Sequence, residues 1–202
     1  APAAGREADR PPVRAPRLLW WSVAGLFATS VAGLLVIGGL ASIATRSGHG
    51  PAVGAGAVMA LSFGNTLGRP LWGLLFDRIG PITAPLSLGG LTLAIGALAW
   101  LAASPSLLLL ASLATGFCFA AGFVTYAATL ARHLGPESVA RLYPRVFLAY
   151  GLAAVIGPPL GGLLQELHGS PTVALLGAAT LTLTMGLSLF GSRHQATGAT
   201  PA

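Results

Sequence analysis

Gly68-Arg69-Pro70-Leu71-Trp72-Gly73-Leu74-Leu75-Phe76-Asp77-Arg78-Ile79-Gly80 returns, without gaps and 89 residues later, as Gly157-Pro158-Pro159-Leu160-Gly161-Gly162-Leu163-Leu164-Gln165-Glu166-Leu167-His168-Gly169. Seven of the thirteen positions are identical, and Asp77 is matched by Glu166. Each copy closes an apolar segment with an acid and a glycine. Working outward, each copy ends the second of three consecutive apolar segments. Three is odd, so the two groups would enter a bilayer from opposite sides. The expected architecture is therefore an all-α membrane protein of six transmembrane helices arranged as a 3+3 inverted repeat, an arrangement typical of secondary transporters.

Composition supports the membrane. The 202 residues are 54% hydrophobic and 8% charged, against about 25% charged residues in a soluble domain. No Asp, Glu, Lys or Arg occurs from Leu18 to Ala44, from Ile79 to Ala131 or from Leu167 to Ser192. About 20 apolar residues cross a bilayer core roughly 30 Å thick, so the middle block has room for two crossings. Breakers and charges place the helices at 18–44, 52–76, 82–102, 107–131, 141–166 and 172–191. Residues 1–17 read as a basic cytoplasmic arm, 18–191 as the six-helix bundle and 192–202 as a cytoplasmic tail. Ala1 in place of Met points to a fragment or a processed product.

The net charge of +6 comes entirely from arginine, for the chain has no lysine. These arginines are scattered between apolar blocks without interleaved aromatics, so they do not form a nucleic-acid face. Ten of them fall on the side of the termini and the 2–3 and 4–5 loops, and only Arg46 falls on the other. The positive-inside rule then puts both termini in the cytoplasm. The Ala, Gly, Leu and Arg bias suggests a bacterial plasma (inner) membrane. Cys118, the only cysteine, cannot form an intrachain disulfide or a metal site alone. No cofactor is expected, and the lipid bilayer is the first partner.

Arg69 is the sharpest candidate for chemistry. It precedes Asp77 by eight residues, which places it about 12 Å deeper along a helix. A charge at that depth faces the bundle or a watery cavity. Ser62, Asn65, Thr66 and Arg69 share one helical face, a polar stripe fit to line a pathway. Arg69 can offer its planar fork to an anionic substrate, most simply a carboxylate; equally, it can snorkel inward or pair with Asp77. Tyr150, Thr29 and Tyr126 are further substrate-binding candidates, with Ser30 and Thr125 beside them, and each could instead serve helix packing. Gly73, Asp77, Arg78 and Gly80 form a loop motif. There a carboxylate can meet a neighbouring helix N-terminus and glycine allows the tight turn.

The stretch from Gly64 to Gly80 resembles the signature loop of the major facilitator superfamily, in the copy found in the second half of such transporters. The Asn-x-x-Gly-Arg lead-in and Trp72-Gly73 resemble the oxalate/formate antiporter-like branch. Pro16-Arg17-Leu18-Leu19-Trp20 with Thr29 to Gly33 resembles that branch's seventh helix, and Tyr150-Gly151 through Gly157-Pro158-Pro159 its eleventh. The resemblance covers residues 16–191 and implies a C-terminal half-bundle. Transport would be by alternating access, and the substrate would lie between this half and a second six-helix half, an N-terminal half or another copy. It also implies that Gly73, Asp77, Arg78 and Gly80 act as a conformational latch. Arg69 matches the arginine that holds a dicarboxylate in the antiporters. Tyr150 stands where their lysine would, which favours a monocarboxylate or another small anion. Pro81 replaces the basic residue usual after the signature glycine, which would weaken the latch. Two other classes stay open, an intramembrane enzyme and a non-transporting membrane subunit. The first lacks a nucleophile–base pair on any helix, because His49, His133, His168 and His194 fall in loops or the tail.

Overall fold

The computed structural model describes residues 15–197, and the expected arm up to residue 14 and the last five residues of the tail lie outside them. The described chain is helical throughout: α1 (Ala15–Arg46), α2 (Pro51–Ile79), a 3-10 turn (Gly80–Ile82), α3 (Thr83–Leu101), α4 (Pro105–Leu134), α5 (Pro136–His168) and α6 (Thr172–Thr197). Several ends differ from the hydropathic expectation. Helix α1 starts three residues earlier than residue 18, α2 and α4 each end three residues later than expected, α5 starts five residues before residue 141, and α6 runs past residue 191 to Thr197. Hydropathy marks the apolar middle of a helix, whereas the backbone ladder continues into polar residues at each end. Pro16 fits in the first turn of α1 because the N–H it lacks has no intrahelical partner there.

Among the described residues, five stretches are long and apolar enough to cross a membrane: Pro16–Arg46, Pro51–Leu101, Pro105–Leu134, Val139–His168 and Thr172–Ser192. The second contains both α2 and α3, because the turn between them is as apolar as its flanks. Gly80 makes that turn. Its φ of 69° and ψ of −150° belong to a region open essentially only to glycine.

Packing is set by small residues. The most extensive contacts join α2 to α4 and α1 to α5, and both pairs run parallel. Along α2 and α4, Gly56 faces Leu109, Gly73 faces Val124 and Gly80 faces Arg132. Along α1 and α5, Gly157 faces Val31 and Leu35, Gly161 faces Leu35, and Gln165 donates to the hydroxyl of Ser42. The two glycines that head the repeated segments do equivalent work: Gly68 lies on the backbone of Phe117 in α4, and Gly157 on the backbone of Val31 in α1. With no hydrophobic drive between helices in lipid, such close backbone approach is what holds them together. Helices α3 and α6 pack antiparallel, joined by Thr92 and Thr182 hydroxyls 2.8 Å apart. The core runs along α1 through Ala32, Val36 and Leu40 and meets Leu91, Ile95 and Leu98 of α3. Several buried hydroxyls are satisfied within their own helices: Ser112, Thr115 and Thr125 each donate to the carbonyl four residues back. That is how a polar side chain avoids an orphaned donor where water is scarce.

Candidate functional site

Arg69 projects from the middle of α2, beside the point where Gly68 lets α2 settle onto α4. A Cβ at Gly68 would come within 2.6 Å of the Phe117 carbonyl oxygen and 2.7 Å of the Ala120 Cβ, so only glycine permits this approach. Trp72, one turn on, fixes the same contact by donating its indole N–H to the Phe117 carbonyl at 2.9 Å. The two anchors set the height of Arg69 against α4. Its guanidinium carbon stands 5.2 Å from the centre of the Phe123 ring, within cation–π range.

Phe123 is the hub of an aromatic group that α5 completes. Tyr150 meets it edge to face at 5.3 Å, and Phe147 lies 6.2 Å away. The Tyr143 hydroxyl donates to the Phe123 carbonyl at 2.9 Å, tying α5 to α4. Arg69 and Tyr150, singled out on separate helices, thus meet at one ring. Arg69 is exposed and Phe147 is 40% exposed, so the group forms an open face and not a closed chamber.

The rest of the stripe divides. Ser62 and Thr66 return their hydroxyls to the carbonyls of Val58 and Ser62 at 2.9 and 3.0 Å. Asn65 keeps a buried side-chain oxygen without a hydrogen-bond partner. Asp77 is exposed and has no ion pair among the described residues. The pairing of Arg69 with Asp77 is therefore not seen; the guanidinium lies on Phe123.

Thr29 and Tyr126 lie deeper, in the contact between α1 and α4, each 3% exposed. Thr29 donates to the Gly25 carbonyl at 2.8 Å. The Tyr126 ring fills the space that a side chain at Gly25 would need, and its hydroxyl, beside Thr29, makes no hydrogen bond of ordinary geometry. Tyr126 belongs to the buried cluster on which Phe123, Tyr143 and Tyr150 rest. It is the floor beneath the Arg69 group, one layer from its surface.

In the loop motif, Gly73 is half-buried, Asp77 and Arg78 are exposed and Gly80 is buried. The guanidinium of Arg132, from the end of α4, packs where a Gly80 side chain would go, 2.5 Å from that position. Among the described residues no three His, Cys, Asp or Glu side chains come together as metal ligands. The arrangement can bind an anion through Arg69 and stack its body on rings.

Sequence reasoning passed over Phe123 and Phe147. The signal was present: Phe119 and Phe123 are four apart on α4, and Tyr143, Phe147 and Tyr150 lie at i, i+4 and i+7 on α5. Helical spacing shows that each set shares a face but not that the faces meet.

Comparison with known proteins fits this geometry. The profile of the Major Facilitator Superfamily matches residues 20–202. No curated protein matches the chain. Members of that family are multi-pass membrane transporters, and the match spans nearly the whole sequence: the chain belongs to the Major Facilitator Superfamily.

Proposed function

We infer that this chain is one six-helix half of a secondary transporter that carries a small organic anion, a carboxylate, by alternating access. The single observation behind the anion is the Arg69 guanidinium held over Phe123 within a membrane-spanning stretch, with Tyr150 on the same ring. A charge is kept at such depth, at a cost of at least about 2.5 kcal/mol, where it has something to bind. Arg69 and Asn65 hold the carboxylate, and Tyr150 borders it. Tyr126 and Thr29 support the site from beneath. The absence of lysine from the chain favours a monocarboxylate over oxalate within an oxalate/formate antiporter-like branch.

The six-crossing, inverted reading draws support from two features. A 51-residue apolar stretch would be about 76 Å long as one helix, more than twice the bilayer core, so it crosses twice with its turn at Gly80. Exchange of the two triplets also turns the α2–α4 pair into the α5–α1 pair, and both are parallel with a repeat glycine at the contact. The exposed Arg69 face would then look toward a second half. Asp77 and Arg78, exposed beside Gly80, are available to latch that half in one state of the cycle. The arginine distribution favours cytoplasmic termini in a bacterial inner membrane.

The test is uptake of labelled formate, acetate, lactate and oxalate by cells producing the transporter. Loss of charge-assisted hydrogen bonds worth about 1.5–3 kcal/mol predicts at least about a tenfold fall in uptake for Arg69→Ala, with membrane abundance unchanged. Arg69→Lys should retain part of the activity. Undiminished uptake in Arg69→Ala would remove the arginine from the site.

A further inference from the structure

The ends of four apolar stretches converge on a second polar concavity, remote from Arg69. The stretches that end at Arg46, Leu101 and His168 and the one that begins at Thr172 all reach the same membrane surface there. Between them lies a pocket of about 340 Å³. Its rim carries Arg46, Ser47, Ser170 and Thr172, and its floor carries Leu98 and Leu175. No acidic side chain lines it.

Arg46 is held in place there. One Nη donates to the carbonyl of Gly169 at 2.6 Å, which fastens the end of α1 to the α5–α6 turn. A guanidinium has five N–H donors, and the others have no partner among the described residues. Ser170 is fixed as well, donating to the Thr172 hydroxyl at 3.0 Å and accepting the Thr172 N–H at 3.2 Å. Trp100, 73% exposed, adjoins the pocket residue Ala99. An exposed tryptophan at a helix end marks headgroup depth.

We propose that this pocket binds the phosphodiester of an anionic phospholipid headgroup, with Arg46 as the anion ligand. Three features select that ligand. The pocket opens at headgroup depth, its charge is positive only, and its floor is apolar enough to seat the glycerol end of the lipid. A headgroup that carries its own ammonium finds no carboxylate to receive it, so phosphatidylglycerol is favoured over phosphatidylethanolamine. The site is independent of the substrate assigned to Arg69.

The experiment uses the purified protein in detergent, titrated separately with phosphatidylglycerol, phosphatidylethanolamine and inorganic phosphate, with bound lipid read by native mass spectrometry. Phosphatidylglycerol should bind about tenfold more tightly than phosphatidylethanolamine, because the two share the phosphodiester but the ammonium of the latter meets Arg46 with no carboxylate to receive it. Arg46→Gln should abolish that preference. Because Arg46 also fastens the α5–α6 turn, Ser47→Glu supplies a second variant that leaves the Arg46–Gly169 bond in place and puts a negative charge on the rim. It should abolish the preference too, with helical content unchanged. Equal binding of the two lipids overturns the proposal. So does a preference that survives both substitutions, and so does saturation by inorganic phosphate without lipid selectivity, which would make the pocket a site for the free anion.

Discussion

Replacement of Gly116 by alanine tests the packing that positions the site. A Cβ at Gly116 would overlap the carbonyl oxygen of Leu61 and stand 2.8 Å from its carbonyl carbon and 3.0 Å from its Cα. Gly64, one turn along α2, meets the backbone of Leu113 in the same way. These neighbours are backbone atoms in a continuous helix and cannot rotate away. To reach ordinary separation, α2 and α4 must part by roughly 1 Å, a gap that forfeits a quarter to a half of each dispersion contact across it. Overpacking typically costs about 1–3 kcal/mol, and a backbone obstacle belongs at the top of that range. Gly96→Ala is the control, since nothing lies within 4 Å of its missing Cβ and the helix gains up to about 1 kcal/mol in propensity. The propensity gain is common to both substitutions and cancels, so the two variants should differ by about 3 kcal/mol. At about 2–4 °C per kcal/mol for a protein of this size, Gly116→Ala should melt roughly 6–12 °C below Gly96→Ala, followed by tryptophan fluorescence in detergent. If the two melt together, the α2–α4 approach is looser than described and the placement of Arg69 over Phe123 loses its basis.

Two further outcomes follow from single groups. Tyr126→Phe removes a buried hydroxyl that lacks a hydrogen bond of ordinary geometry, so stability should be unchanged or raised by up to about 1–3 kcal/mol; a loss beyond about 1 kcal/mol in the same melt would mean that the hydroxyl has a partner. Gly80→Ala places a side chain at φ 69°, ψ −150° and should cost about 1–3 kcal/mol of backbone strain. Adding Arg132→Ala should not restore the loss, because the strain is in the backbone; full rescue would assign the cost to the Arg132 contact.

Hydropathy made six apolar segments legible, and the recurrence of Gly68–Gly80 at Gly157–Gly169 made them legible as two related groups. Arg69 stood out because one charge in a long apolar run is conspicuous. The turn at Gly80 was readable from Asp77-Arg78-Ile79-Gly80-Pro81, although by apolarity alone α2 and α3 form one stretch.

The amino-acid sequence by itself thus determined that the chain is helical and membrane-embedded, and it marked Arg69, Tyr150 and the loop motif. These are local properties: an apolar run needs lipid, and a charge within it needs a reason. Only the tertiary structure decided what meets what. It laid α2 along α4 and α1 along α5, set Arg69 on Phe123 with Tyr150 at that ring, and placed Thr29 and Tyr126 beneath them. The physical reason is that helix pairing in lipid depends on how closely backbones approach at glycines such as Gly64, Gly116 and Gly157. A glycine's position in the chain does not say which carbonyl, about 50 or 125 residues away, will fill the space it leaves.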